Sequence, residues 1–260
     1  MTTAPTLLPP RHDRSAHLDR GAPTDLVLVA HGTRDAAGAA TSHRIREAVA
    51  AQLPGVHVEL AYVDVQEPRV AQVVAARAAA GRRVAVVPLL LSMGYHVQVD
   101  VLGAVAPHAL AATSGALGPH PLLVQALIER LVQGGAKPGD AIVLAAAGSS
   151  RPQAAADAKA VAALLARRWP GRVGVGFGAS ASPTVPAAVA AARAWRACRT
   201  GRAVVASYLI GEGFFHDRLR EAGADLVTDP LAEHPAVIEL ITHRYADARA
   251  HLDEVTRATG

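Results

Sequence analysis

The chain contains LVLVAHGT at residues 26–33 and a close copy, IVLAAAGS, at residues 142–149. In both copies a run of β-branched residues and leucine ends in a small polar turn that contains a glycine. Such a run, followed by an alanine-rich segment of helical length, is typical of a buried parallel strand and its crossover helix. Because the pattern returns 116 residues further on, the chain is predicted to be an internal duplication.

Three further pairs of segments recur in the same order, at offsets between 114 and 120. They are VQEPRV (65–70) with ASASPTV (179–185), RVAVVPLLLSMGYH (83–96) with RAVVASYLIGEGFFH (202–216), and HPLLVQALIER (120–130) with HPAVIELITHR (234–244). The preserved order argues against coincidence. We therefore predict a catalytic half at 25–134 and a repeated half at 140–250 that forms a wall of the substrate cleft. A turn-rich linker joins them, and a disordered tail occupies 1–24.

The alternation of strand-like and alanine-rich segments predicts an α/β fold with two parallel sheets. The predicted strands are 26–30, 56–63, 84–91, 115–118, 141–146, 172–177, 203–210 and 225–228. Helices are expected to follow them, with prolines at or near the first turn of several: Pro68, Pro121, Pro152 and Pro235. We expect two subdomains related by a pseudo-twofold axis, with the active site in the cleft between them.

Composition excludes several classes of function. The 260 residues are 51% apolar, carry a formal charge of +4 without a basic run, and include only 3% aromatic residues, so nucleic-acid binding is not expected. The longest apolar run, 84–93, is too short to span a membrane and is broken by Pro88. The first twenty residues have no apolar core of a signal peptide. The only cysteine, Cys198, excludes an intramolecular disulfide, so we expect a cytoplasmic protein.

Two titratable residues follow predicted strands in the first half only. Parallel sheets bind ligands beyond the carboxyl ends of their strands, which is where His31 and Asp64 lie. The second half has Ala147 and Ala179 at these positions. A polar group that the fold does without in one copy indicates function in the other.

A third candidate, His96, follows the third predicted strand. Its counterpart is His216 if one residue is inserted in the second copy, which leaves the role of His216 open. Asp100 lies four residues after His96 in a helix predicted at 97–111. It can either orient the His96 ring or simply favour the helix dipole. By contrast, His120 and His234 are repeated before Pro121 and Pro235, which indicates structural work at a helix start.

Together, His31, Asp64 and His96 offer two imidazoles and a carboxylate. This set can bind a borderline divalent metal ion with open positions, and it can accept protons near neutral pH. Next to it, the strand-to-helix turns expose backbone N–H groups that favour carboxylates, and two arginines follow. The predicted substrate-binding residues are Gly32, Thr33, Arg34, Ser149, Ser150 and Arg151; for the arginines, a solvated surface position is the alternative. The chain lacks a GxxxxGK[ST] motif, so no nucleotide is expected.

The motifs VAHGTRD (29–35), AYVDVQEP (61–68) and VVPLLLSMGYHVQVD (86–100) resemble those of the sirohydrochlorin chelatases, the class II tetrapyrrole chelatases. The resemblance extends over about residues 25–250. It implies ATP-independent insertion of a divalent metal ion, Fe²⁺ or Co²⁺, into the reduced tetrapyrrole sirohydrochlorin. His31 and His96 match the two active-site histidines of the family. Asp64 stands where many members have Glu. This position is where the sequence departs from the family pattern, so the resemblance supports a role for Asp64 less strongly than it supports roles for the histidines.

Two questions stay open at the level of sequence. Iron insertion for sirohaem is favoured over cobalt insertion for cobalamin, since the chain has no histidine-rich tract. The alternative interpretation is a protein of another class: a two-lobed cytoplasmic protein that binds a metal ion or a small molecule, with the same architecture but without catalysis. The internal duplication predicts that either protein is a monomer.

Overall fold

The computed structural model describes residues 23–195 and 201–259, with side chains up to residue 255. Most of the predicted tail and Cys198 lie outside the described residues. The strands are β1 (Thr24–Ala30), β2 (Val58–Tyr62), β3 (Arg83–Pro88), β4 (Ala111–Thr113), β5 (Ala141–Ala146), β6 (Val173–Phe177), β7 (Ala203–Tyr208) and β8 (Leu226–Val227). The helices are α1 (Ala36–Gln52), α2 (Val70–Ala79), α3 (Leu102–Val105), α4 (Pro121–Gln133), α5 (Pro152–Ala166), α6 (Val185–Arg193), α7 (Phe214–Arg220) and α8 (Pro235–Thr259).

The strands form two parallel sheets with the same internal order. The first sheet runs β2-β1-β3-β4 and the second runs β6-β5-β7-β8. All pairings are parallel, as helical crossovers require. The predicted duplicated α/β fold is therefore confirmed. β1 begins at Thr24, one residue before the predicted start of the first half.

Two local predictions need correction. The strand expected at 115–118 lies at Ala111–Thr113, and the following segment turns through Gly115, whose φ is +79°. The helix expected at 97–111 is a π-helical turn at Val97–Val101 followed by the short α3, because a run rich in valine is a weak α-helix former and Pro107 disfavours continuation. Pro68 lies two residues before the first residue of α2, near its first turn as predicted.

A layer of helices between the two sheets forms one core that both halves share. Along β1, Leu26 and Leu28 point into this common core, while Val27 and Val29 face the outer core under α2 and α3. The second sheet repeats the alternation, with Val143 and Val205 in an outer core that α6 helps to form. Successive side chains of a strand point to opposite faces of the sheet, and both faces are covered by an apolar core. The strand sequences are therefore continuously hydrophobic.

The last helix of each half packs on the other half. α4 lies against α5 and β7 of the second half, whereas α8 lies against β3, β4 and α1 of the first. The Tyr245 hydroxyl of α8 donates a hydrogen bond of 2.7 Å to the carbonyl of Thr24, at the start of β1. α8 also forms an ion pair between Asp253 and Arg83. The two halves are thus interlocked rather than merely adjacent.

The repeated histidines are helix caps, as predicted. His120 precedes α4 and accepts at Nδ1 the N–H of Leu122, at 3.2 Å, and His234 accepts at Nδ1 the N–H of Ala236, also at 3.2 Å. Each satisfies a backbone donor that the first turn leaves without a helical partner. Burial lowers the pKa of both histidines, so each cap is kept in the neutral form that can accept a hydrogen bond.

Among the described residues, no helix combines the length and the apolar character needed to cross a bilayer.

Candidate active site

The turn after β1 brings His31 and Asp64 side by side. Gly32 has a φ of +92°, and a Cβ at this position would collide with the carbonyl of Asp64. The close approach is held by the N–H of Asp64, which donates to the carbonyl of His31 at 3.0 Å. Only glycine fits such a turn, because it combines a left-handed conformation with backbone contact. The strand end therefore places His31 at the edge of the cleft between the halves.

The second half has the same turn without the titratable groups. Gly148 also has a φ of +92°, a Cβ there would collide with the carbonyl of Ala179, and the N–H of Ala179 donates to the carbonyl of Ala147 at 2.9 Å. The matching contacts support the sequence pairing of His31 with Ala147 and of Asp64 with Ala179.

His31 and His96 come together across this strand end. Their Nε2 atoms are 3.0 Å apart, and the two rings are nearly perpendicular at a centroid separation of 4.4 Å. The Nδ1 atom of His96 is 2.6 Å from a carboxylate oxygen of Asp100, and that of His31 is 3.2 Å from the carbonyl of Gly32. Because both oxygens accept hydrogen bonds, each Nδ1 carries the proton in a neutral ring. The two Nε2 atoms, 3.0 Å apart, are then able to share one proton or one metal ion.

The π-helical turn positions Asp100 beneath His96. The turn begins directly after His96, and the N–H of Leu102 closes it on the carbonyl of Val97. Single π-turns are uncommon and recur at functional sites. Here the wider turn carries Asp100 onto the same side as His96, four residues earlier. Of the two interpretations that the sequence left open for Asp100, the structure favours orientation of the His96 ring.

Asp64 is near the histidines but turns away from them. Its carboxylate accepts the Val65 N–H at 2.7 Å and approaches Nη1 of Arg69 at 3.4 Å, with 57% of the side chain exposed. The Val65 hydrogen bond, followed by the Arg69 guanidinium, lowers the pKa of Asp64. Within the part of the chain that the structure describes, no cluster of three or more His, Cys, Asp or Glu side chains could hold a metal ion. The structure therefore unites two of the three predicted ligands.

Both halves line the cleft above these residues. Its volume is about 1300 Å³, larger than the roughly 300–1000 Å³ of most small-molecule sites. The walls include the predicted substrate-binding residues Gly32, Thr33, Arg34, Ser149 and Ser150, and Arg151 stands beside them.

The two turns differ in what they offer to an anion. The N–H of Thr33 donates to Gln66 Oε1 at 2.8 Å, so it is already used. The carboxylate of Asp35 caps α1 by accepting the Gly38 N–H at 2.9 Å, which places a negative charge at that helix start. The second-half turn has Arg151 at the corresponding helix start, so it is the better anion site of the two.

His216 is not part of the imidazole pair. It is 1% exposed, and its Nε2 donates to the carbonyl of Thr228 at 3.0 Å, tying α7 to the end of β8. Thr228 also binds Ser207 of β7 through two hydrogen bonds. The histidine that follows the third strand thus packs inward in the second half and faces the cleft in the first.

Contacts between the halves hold the two cleft walls in place. The N–H of Met93 donates to the buried Asp157 of α5 at 2.8 Å, and the Tyr208 hydroxyl donates to the carbonyl of Leu91 at 2.9 Å. Burial raises the pKa of Tyr208, which keeps this donor protonated. The aromatic residues Tyr95, Phe214 and Phe215 also line the cleft, although sequence analysis did not single them out. The signal available in the sequence was the position of Tyr95 and Phe215, which directly precede His96 and His216.

Two parallel sheets of identical order, with paired imidazoles at the cleft between them, define a duplicated α/β protein of the chelatase type. The sequence profile of the CbiX family matches residues 25–134 and again residues 141–248. The chain therefore belongs to the CbiX family, which confirms the resemblance to sirohydrochlorin chelatases.

Solved structures show the same fold at low sequence identity. SirB from Bacillus subtilis with Fe³⁺ is 20% identical, with a TM-score of 0.75 over 88% of this chain and 96% of that one. SirB from Bacillus subtilis subspecies spizizenii in complex with cobalt is 18% identical, with a TM-score of 0.71 over 88% and 96%. CbiX, described as the terminal enzyme of sirohaem biosynthesis in denitrifying bacteria, is 22% identical, with a TM-score of 0.63 over 86% and 99%. Among curated proteins, no sequence matches this chain significantly.

Proposed function

We propose that this protein is a sirohydrochlorin chelatase that inserts Fe²⁺ into sirohydrochlorin without ATP, as a cytoplasmic monomer. The observation that carries the proposal is the pair of Nε2 atoms, 3.0 Å apart, in the lining of a cleft large enough for a tetrapyrrole. Membership of the CbiX family and the likeness to SirB structures with bound iron or cobalt support it.

The spacing of the two imidazoles suits a metal ion as substrate. Imidazole nitrogens bind first-row metals at about 2.1 Å, and two such nitrogens at right angles around one ion are about 3.0 Å apart. With Asp100 holding the Nδ1 proton of His96, the Nε2 atom is the free donor. Two protein ligands leave other positions of the ion open for the ring nitrogens that must replace them.

Metal insertion also releases two protons from pyrrole nitrogens. Each N–H bond breaks as the metal–nitrogen bonds form, so the site needs a base close to the ion. Once the ion leaves, the freed Nε2 atoms of His31 and His96 can take up these protons. Asp64, ionised and exposed nearby, balances the charge of the entering dication in this scheme.

One experiment tests both which metal ion is preferred and whether the protein is a catalyst. Sirohydrochlorin with Fe²⁺ or Co²⁺, supplied anaerobically with catalytic amounts of protein, should show multiple turnovers in the absorption spectrum, faster with Fe²⁺. A faster rate with Co²⁺ would assign the protein to the cobalt branch instead. A spectral change that stops at one equivalent of protein would identify a carrier rather than an enzyme.

A further inference from the structure

Exposed apolar side chains are concentrated at the cleft. The large hydrophobic residues that remain exposed among the described residues are Val65, Tyr95, Val99, Leu102, Val132, Phe214 and Phe215. Four of them line the cleft: Val65, Tyr95, Phe214 and Phe215. Apolar surface of this kind is costly to leave in water, so its concentration in one concave site indicates a ligand with apolar faces.

The aromatic rings come from both halves at matching places. Tyr95 directly precedes His96, and Phe215 directly precedes His216 in the aligned copy. Phe214 is 66% exposed and lies edge-on to Phe215, at a centroid separation of 5.5 Å. Gly178 leaves room for the Phe215 ring, because a Cβ there would lie 3.1 Å from it. One wall thus presents a tyrosine and the facing half presents a pair of phenylalanines.

An arginine guanidinium lies over one aromatic ring on each side of the cleft. The Arg151 guanidinium lies 5.3 Å from the centre of the Tyr95 ring and still leaves 46% of Tyr95 exposed. On the other side, the Arg218 guanidinium lies 5.7 Å from the centre of the Phe214 ring. Arginine stacked on an aromatic ring keeps its hydrogen-bond donors directed outward, which suits binding of carboxylates at the edge of a flat ligand.

We infer that Tyr95 with Arg151 and Phe214 with Arg218 form a two-sided clamp for a flat, polyanionic macrocycle, the rings packing on its faces and the arginines pairing with its acid groups. This inference rests on the proposed function and assigns its substrate contacts. The Tyr95 ring is 5.7 Å from the His96 ring, so a macrocycle packed on Tyr95 lies next to the paired imidazoles. The clamp sets the position of the macrocycle, whereas the histidines handle the metal.

The clamp predicts that macrocycle affinity and metal affinity can be separated by mutation. The probe for the first is a metal-free porphyrin carrying eight carboxylates, titrated against the full-length protein by its own fluorescence. The probe for the second is Co²⁺ alone, followed by visible absorption. Tyr95→Ala and Phe214→Ala should each weaken porphyrin binding by about three- to tenfold, as loss of an aromatic contact does, and Phe214→Ala should leave the Co²⁺ titration unchanged.

Conservative and remote variants serve as controls. Tyr95→Phe keeps the ring and should restore porphyrin affinity, whereas Val132→Ala removes an exposed apolar side chain outside the cleft and should have no effect. Arg151→Ala and Arg218→Ala should weaken binding of the octacarboxylate and reduce its salt dependence. In turnover assays the clamp variants should raise KM for the tetrapyrrole while kcat stays close to that of the unmodified protein.

The clamp is overturned if the unmodified protein binds the porphyrin and inserts metal while Tyr95→Ala and Phe214→Ala bind it equally well. It is also overturned if Val132→Ala weakens binding as much as they do, since that would indicate general adhesion of porphyrin to apolar surface. Turnover of sirohydrochlorin by an unmodified protein that does not bind the porphyrin would overturn the clamp and leave the proposed function standing.

Discussion

The two halves have the same strand order and the same glycine turns, but their cleft-facing groups differ. The first half presents His31 and His96 to the cleft, with their Nε2 atoms 3.0 Å apart. The second half has Ala147 at one of these positions and turns His216 inward, onto Thr228. Features present in both copies, such as the turns and the capping histidines, are those that the fold needs. The features found in one copy only are those to which we assign the proposed chemistry.

The sharpest test of this contrast compares His31→Ala with His216→Ala. His31 is exposed, so its removal should leave the melting temperature unchanged and lower the rate of metal insertion by about a hundredfold or more, through loss of a ligand and base. His216 is buried, so His216→Ala should cost about 1–3 kcal/mol of stability and change kcat by less than about tenfold. Thermal melts and steady-state rates on both variants measure the difference.

His43→Ala, an exposed histidine on α1, is the matched control and should change neither quantity. Equal losses of activity for His31→Ala and His216→Ala would mean that the two halves share the catalytic work.

The second test uses the caps that both halves share. Burial lowers the pKa of His120 and His234, so the unfolded chain takes up protons at a higher pH than the folded protein does. Their contribution to stability is therefore complete above about pH 6.5 and is lost as the pH falls below that value. We expect the melting temperature to decrease over this range. The double variant His120→Asn, His234→Asn, which keeps side-chain caps that do not titrate, should show a shallower decrease.

If the two pH profiles are parallel, the caps are not the titrating groups. Each single variant should account for part of the difference, because the two caps have the same geometry in the two halves.

Substitution of Asp64 should lower kcat less than substitution of His31 in the same half. Because its carboxylate is directed toward Val65 and Arg69 rather than toward the imidazoles, Asp64→Asn should lower kcat only about two- to fivefold. Asp64→Glu, which restores the residue found in many family members, tests whether a longer side chain reaches the metal. A loss with Asp64→Asn as large as that with His31→Ala would make Asp64 a ligand during turnover.

The smallest change is expected when the missing imidazole is returned to the second half. Ala147→His places a histidine on the turn that matches that of His31, but His216 is buried and cannot become its partner. A Co²⁺ titration should therefore still saturate at one equivalent. A second equivalent would show that the second half retains the capacity for a metal site.

Sequence reasoning located the two histidines because topology decides where strand ends meet. His31 and His96 follow neighbouring parallel strands, β1 and β3, so their proximity follows from strand order. The direction of Asp64 did not follow, since it depends on a side-chain rotamer and on Arg69, five residues later. The exact course of residues 97–105 was also missed, because period and propensity do not distinguish a π-turn from an α-helix.

The packing between the two halves could not be predicted from local sequence patterns either. The repeat predicted helices at α4 and α8 but could not show that each covers the sheet of the other half. The predicted position of β4 was several residues too late in the sequence, because a three-residue edge strand carries little hydrophobic signal.

The exchange of terminal helices bears on how the protein is made. During synthesis β1, β3 and β4 leave the ribosome long before α8, which packs on β3 and β4 and whose Tyr245 donates a hydrogen bond to Thr24 of β1. The half that holds His31 and His96 thus stays incomplete until α8 has been translated. A prematurely terminated product would expose the apolar surface on which α8 packs, a feature that chaperones and proteases recognise. Ordering of the half that holds His31 and His96 is in this way coupled to synthesis of α8.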